Sequence, residues 1–284
     1  MADEIEYIPV TTEDAVEAVV NGAWLYRADI PDFRGLVDGV QARTKLRYSF
    51  GPNASLVPEV VKLIEDPGNI EIRCVSCRIG ECQCQALRVA VAVDLRNTTY
   101  VDDPLECTDQ APTIFANPSI FSRATFERFA DFHDVAFSCE ADFSHATFLQ
   151  RTFFSGTRFR EGANFKQATF KDYATFSGAS FERYAQFMNA TFAQEGCFTA
   201  AVFAGSSVFL KVIFAQRVLF MESHFEKAAL FHFTTFREHA YFGDAAFTQD
   251  AYFEHATFTQ DAMFSGAELA GLGDFSFAKV SGRL

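Results

Sequence analysis

The sequence predicts an all-β solenoid, a four-sided β-helix with about 22 residues per coil, preceded by a small N-terminal α+β unit. Three observations carry this. From Phe115 to Val280 an apolar residue recurs at alternating spacings of five and six, giving 31 rungs, of which 29 are Phe out of the 35 in the chain. Two residues before most rungs stands Ala or another small residue, as at Ala124, Ala130, Ala141, Ala146 and Ala163. Turn-forming Ser-Gly pairs punctuate the ladder at 155–156, 177–178 and 265–266, and the charged pairs Glu182-Arg183 and Glu226-Lys227 are read as filling the same corner.

Residues 1–86 lack the ladder and are expected to form a unit of their own. Thr11-Thr12-Glu13-Asp14 is a helix start, the apolar run Ala15, Val16, Ala18, Val19, Val20 follows, and Asn21-Gly22 ends it. Strands are expected over 23–30 and 70–77, with a short helix over 58–65. Residues 87–114 are assigned as a cap or first coil, because Val93-Asp94-Leu95 and the register of Leu95, Tyr100, Leu105 and Phe115 already keep a five-residue step.

Residues 115–284 are the Phe-ladder β-helix. An α-helix cannot use this spacing: steps of five and six residues turn it by about 500° and 600°, scattering the Phe around the cylinder. On a short flat wall, the rung and the small residue two positions earlier face inward together. Four such walls close in 22 residues, so the ladder supplies between seven and eight coils, a rod of roughly 35 Å at the ~4.8 Å strand spacing. The structural core is assigned to Phe126, Phe132, Phe137, Phe143, Phe148, Phe154, Phe159, Phe165, Phe170, Phe176, Phe181, Phe187, Phe192 and the rungs that follow. Each buried Phe contributes roughly 1.5–3 kcal/mol, against an entropy cost of ordering the corners that neighbouring coils share.

The Ala-x-Phe pairs resemble the pentapeptide-repeat proteins, whose consensus is a small residue, then Asp or Asn, then Leu or Phe. Ala130-Asp131-Phe132, Ala141-Asp142-Phe143 and Ala163-Asn164-Phe165 match it. The resemblance implies a right-handed, four-sided β-helix. The departure is one extra residue in every second unit, for instance at Tyr173, Tyr184, Asp250 and Asp261, which is expected to lengthen or bulge two opposite walls.

The first residues are acidic and no apolar stretch follows, so neither a signal peptide nor a membrane span is expected. Seven Cys with no disulfide spacing point to a reducing cytoplasm. Net charge is −13, divided as −9 over residues 1–115 and −4 over 116–284, and no basic face is offered to nucleic acid.

The strongest chemical cluster is Cys74, Cys77, Cys82 and Cys84. Four thiolates within eleven residues could close a tetrahedral zinc site. Equally, Ile72, Cys77, Cys82 and Leu87 keep the five-residue register, so small Cys side chains would simply fill a tight cap; apart from that zinc, no cofactor is expected. The six His occupy different places in the repeat, His145 and His255 sharing a column five coils apart, and no nucleophile elbow, zinc helix or phosphate loop is present. Counting in steps of 22 gives Cys197, Leu219, Tyr241 and Met263 on one wall and Val208, Leu230 and Tyr252 on the opposite one, with Val202 and Ile213 extending the band. Stacked apolar columns make a contiguous patch, which predicts an interaction surface.

A non-catalytic scaffold for protein–protein interaction follows, its partner another protein or a second copy, with no nucleic acid, membrane or small-molecule substrate. The resemblance implies an alternative, since some pentapeptide-repeat proteins mimic a DNA duplex and bind type II topoisomerases such as gyrase. Arg158, Arg160, Lys166, Lys171 and Arg183 interrupt the acidic stripe that this needs. A third reading makes the N-terminal unit a metal-binding or effector domain displayed on a β-helical stalk.

Overall fold

The computed structural model describes residues 8–20, 25–26, 28–32, 35–36, 39–40, 71–75, 78–81, 88–89, 92–94, 99–100, 114–115 and 118–283. From Ser119 on, short strands follow one another every five or six residues: Thr125–Phe126, Ala130–Asp131, Ala136–Phe137, Ala141–Asp142, then Thr147–Phe148. Each pairs in parallel with the strand 22 residues on, Thr125 with Thr147, Ala130 with Thr152, Ala136 with Arg158, Ala141 with Ala163. Four parallel sheets result, the walls of a β-solenoid of about eight coils. In chain order, the first wall holds Thr125–Phe126, the second Ala130–Asp131, the third Ala136–Phe137 and the fourth Ala141–Asp142. The second and fourth walls lie half a coil apart and back onto one another through the core.

The ladder is that core. Every Phe rung from Phe115 to Phe258 is 2% exposed or less. Rings 22 residues apart stack nearly parallel, Phe148 on Phe170 at 4.9 Å and 1°, Phe165 on Phe187 at 4.9 Å and 5°. Between the second and fourth walls the rings meet edge to face, as Phe143 does with Phe132 and Phe154, both at 5.3 Å. Offset stacks within columns and T-contacts between them are the two arrangements that aromatic quadrupoles favour. The Ala two residues before each rung fills the remaining space, Ala130, Ala141, Ala146 and Ala163 being wholly buried.

The two spacings correspond to two kinds of corner. In each five-residue step the rung carbonyl accepts from the N–H three residues on, Phe121 from Ala124 at 3.0 Å and Phe143 from Ala146 at 3.1 Å. The third residue of that turn has positive φ, 59° at Arg123 and 58° at His145, as a type II turn requires. Gly156, Gly178 and Gly266 stand at this position. Glu182-Arg183 and Glu226-Lys227 do not: they occupy the bends of the six-residue steps, where φ stays negative, so the single corner assigned to both pairs is corrected to two. In most coils the extra residue sits in these bends and the strands on either side keep two residues; at Tyr184 and Ser206 it joins the strand instead and lengthens the fourth wall. Widening a wall throughout would draw stacked rings away from their edge-on neighbours. Tyr184–Gln186 and Ser206–Val208 are three residues long and pair with each other on the fourth wall.

Near the N-terminus, α1 spans Thr12–Val20. Thr11 caps it: its Oγ1 accepts from the Asp14 N–H at 3.1 Å and donates to the Asp14 carboxylate at 2.7 Å. The helix buries Ala15, Val16 and Val19. It packs on Leu25–Tyr26, Ala28–Asp32 and Glu71–Val75. Those strands are stacked in the same sheets as the ladder. The first wall runs from Ile8–Pro9 through Ala28–Asp32, Arg78–Glu81 and Thr99–Tyr100 to Thr125–Phe126, and the fourth from Leu25–Tyr26 through Glu71–Val75 and Ala92–Asp94 to Ser119–Ile120. The boundary expected at residue 86 therefore falls inside two continuous sheets. Absence of Phe marked it in the sequence, but strand pairing is a matter of backbone groups and needs no Phe. The register confirms where regularity begins: Ile79 pairs with Tyr100 and Tyr100 with Phe126, steps of 21 and 26, before the constant 22 sets in. The helix expected over 58–65 lies outside the described residues.

Candidate interaction surface

The four walls differ sharply in what they show to solvent. On the first wall the outward column is Thr125, Thr147, Thr169 and Thr191, then Ile213, then Thr235 and Thr257. The third wall is mixed, with Arg158, Ser180, Val202, His224 and Ala246 in line. Val202 and Ile213 thus stand on separate walls and do not extend the apolar band.

On the second wall the middle column is Phe153, Thr175, Cys197, Leu219, Tyr241 and Met263, each paired with the next coil. Leu219, Tyr241 and Met263 are half-buried by their own stacking, whereas Cys197 is closed off at 7% exposure and Thr175 at 4%. Tyr173 accounts for the difference. Its hydroxyl lies beside Thr175 and Cys197; burial first, and then Cys197 and Glu195, hold it above the ordinary tyrosine range, while Thr175 pulls the other way. Its ring lies 6.4 Å from that of Phe153. The Cys197 thiol also meets Thr199 Oγ1 at 3.4 Å. Along the bend edge of this wall Arg217 is paired with Glu195, and Asp261 with Arg283 at 3.3 Å.

The fourth wall changes character along its length. Asp142 accepts from Asn164 Nδ2 at 2.9 Å, and Gln186 follows; then come Val208, Leu230 and Tyr252, before Asp274 returns to charge. Half-buried Met188, Leu210 and His232 flank these residues. Tyr184 lies along this wall over Gly162, where a Cβ would collide with the ring, and its hydroxyl reaches Glu140. Burial first, and then the Glu140 carboxylate, hold that hydroxyl far above the ordinary tyrosine range.

Sequence spacing found the middle columns but not their flanks. The step of 22 that located Leu219 also reaches Phe153 at the start of its column, whereas Tyr173, Met188 and Leu210 belong to the same apolar surfaces only because the coil sets them beside the columns. A corner column was missed as well: Lys211 lies over the Phe233 ring at 5.8 Å, Phe233 stacks on His255 at 4.7 Å, and His255 on Phe277 at 4.9 Å. His255 is therefore held between two rings, with Glu254 3.6 Å from its Nε2.

Of the four Cys proposed for zinc, Cys77, Cys82 and Cys84 lie outside the described residues, as does the side chain of Cys74. Among the described residues no group of three or more His, Cys, Asp and Glu is disposed around a common point. Cys139 is half-buried, and burial with the nearby Glu161 raises its thiol above the usual range. No helix among the described residues is long and apolar enough to cross a membrane.

Residues 143–191 and 220–268 match the family model described as pentapeptide repeats (9 copies). Over these two stretches the β-helix is built of pentapeptide repeats. Residues 192–219, between the two matched stretches, keep the same ladder and the same pairing to the coils on either side. Neither the curated proteins nor the solved structures give a match. In this chain, individuality lies in what the outward columns carry, since the inward ones are almost all Phe and Ala.

Proposed function

We propose that this chain is a non-catalytic scaffold that binds protein through its second and fourth walls. The observation that carries the reading is the segregation of outward apolar side chains. They gather in register on two opposite walls, while the first wall carries a column of Thr. Strand propensity alone favours Thr as much as Val or Tyr, so it does not explain why apolar residues avoid one wall and fill another. Contiguous apolar strips are rarely left in water by a monomer. A β-helix holds such columns rigidly, so docking orders little of the scaffold.

A photo-activated cross-linker placed singly at Leu230 on the fourth wall and at Thr147 on the first tests this in the native cell. Discrete protein adducts from Leu230, and none from Thr147, are expected. Equal labelling from both walls, or from neither, removes the scaffold reading.

A further inference from the structure

We propose that the second wall is a homotypic interface, on which two copies of this chain meet antiparallel about a two-fold axis passing between the coil of Cys197 and the coil of Leu219. This rests on the scaffold reading and supplies one partner for it. An axis lying in the plane of a wall and perpendicular to the rod sets each outward column against its own reverse, as isologous pairing demands. The bend-side column runs Arg151, Tyr173, Glu195, Arg217, His239, Asp261. Reversed about the stated axis, Glu195 of one copy faces Arg217 of the other, and Arg151 faces Asp261. Both pairs are of opposite charge, and symmetry makes each of them twice.

The neighbouring registers fail. Shifting the axis onto the coil of Leu219 sets Arg217 against Arg217, and one step further sets Glu195 against Asp261. Shifted the other way, Glu195 meets Glu195, and then Arg151 meets Arg217. A parallel pairing, with the axis along the rod, lays the charged column on Ser155, Ser177, Thr199, Met221, Gly243 and Ser265, none of which carries charge. The registers one and two steps to either side are repulsive. Three steps away opposite charges meet again, Arg217 with Asp261 or Arg151 with Glu195, but Leu219 then falls against Met263 or Asp131, so charge and shape together select the stated register.

Shape agrees with charge in that register. Cys197 and Thr175, the closed-off positions of the middle column, come opposite Leu219 and Tyr241, which are half-buried and stand outward. Phe153 comes opposite Met263, a sulfur–aromatic contact. Side chains that rise meet side chains that do not, with the apolar column at the centre and the ion pairs along one rim.

Sedimentation equilibrium on the full chain is the test, with far-UV circular dichroism on each variant. The parent should sediment as a dimer. Arg217→Glu and Glu195→Arg should each raise the dimer dissociation constant more than about tenfold, because each sets like charges opposite one another. Mixed together, these two variants should form a heterodimer, since every facing pair is again of opposite charge. The double variant Glu195→Arg/Arg217→Glu, which also keeps the in-chain pair, should dimerise by itself. Thr147→Glu on the first wall should leave the mass unchanged. A monomeric parent overturns the proposal, as does a mixture that fails to associate while the double variant is folded and monomeric. Neither result touches the cross-links expected from Leu230, so failure here is distinguishable from failure of the scaffold reading.

Discussion

Fifteen residues between Arg123 and Phe277 hold positive φ, one at every eleventh position, and only three of them are Gly. For the other twelve the left-handed conformation costs roughly 1–2 kcal/mol each. Two hydrogen bonds at each such turn from Arg123 to His255 offset it: the rung carbonyl is satisfied within the turn, and the left-handed residue itself donates to the next coil, as Arg123 does to Ser144 at 2.8 Å. Gly178 sits here with open space where a Cβ would be, so Gly178→Ala should cost only the conformational strain, about 1–2 kcal/mol in chemical denaturation. Gly205 is the instructive contrast. Its φ is ordinary, yet a Cβ would fall on the Arg183 carbonyl of the previous coil, and Gly205→Ala should cost more than about 3 kcal/mol by the same measurement. A smaller cost than at Gly178 would mean that the bend gives way easily. Ser207 is wholly buried and its hydroxyl has no partner, in a column where the coils on either side carry Ala163, Ala185, Ala229 and Ala251. Ser207→Ala should therefore stabilise the chain by about 1 kcal/mol; Thr234, equally buried, bonds the Phe209 carbonyl and should not follow it.

At the level of the element, the strand is too short to be the unit of stability; the unit is the rung with its stacked neighbours. Phe187 is wholly buried between Phe165 at 4.9 Å and Phe209 at 5.0 Å, and Phe187→Ala should cost about 3–5 kcal/mol because rigid columns cannot close over the void. Thr191 points outward on the first wall, and its replacement by Ala should stay within about 0.5 kcal/mol. Near-equal losses would contradict the register. That register was legible in the sequence because one residue type marks it: Phe at five and six fixes which side chains turn inward, and counting by 22 then places Leu219 above Cys197. The corners were half legible. Ser-Gly pairs announce the type II turn, but nine of the fifteen such turns use residues with no turn preference, such as Lys211 or Glu222, whose conformation is imposed by the coil beneath. The N-terminal coils were legible only in part: the five-residue register picked out Tyr100 and a first coil over 87–114, but Ile79 and the strands before it, stacked at steps of 21 and 26 with no Phe to mark them, were read as a separate unit. The extent of the surface was hidden for another reason: Tyr173 and Met188 are ordinary residues until the coil sets them beside the apolar columns.

For the whole molecule, the eleven-residue unit is interchangeable inside and individual outside. All four walls use the same Phe and Ala interior, and the left-handed corner returns every eleven residues, so half a coil can be removed without breaking the ladder. Deleting residues 199–209 brings Phe214 five positions after Phe198 and keeps the alternation throughout. Everything beyond the cut then advances by half a coil. Leu219 and Arg217 leave the second wall for the fourth, and the second wall acquires Leu230 beside Ala228, leaving Glu195 opposite an uncharged residue. This variant should unfold cooperatively at a temperature close to the parent's, and it should have lost self-association. Deleting only residues 199–203 removes less than half as much chain but sets two six-residue steps in succession, which puts a bend where a turn is needed. The shorter deletion should therefore be the more damaging to thermal stability, read by circular dichroism. If the eleven-residue deletion unfolds first, the coils are specified by particular neighbours rather than by the repeat. If it folds and still dimerises through the second wall, the charge register is not what holds the two copies together.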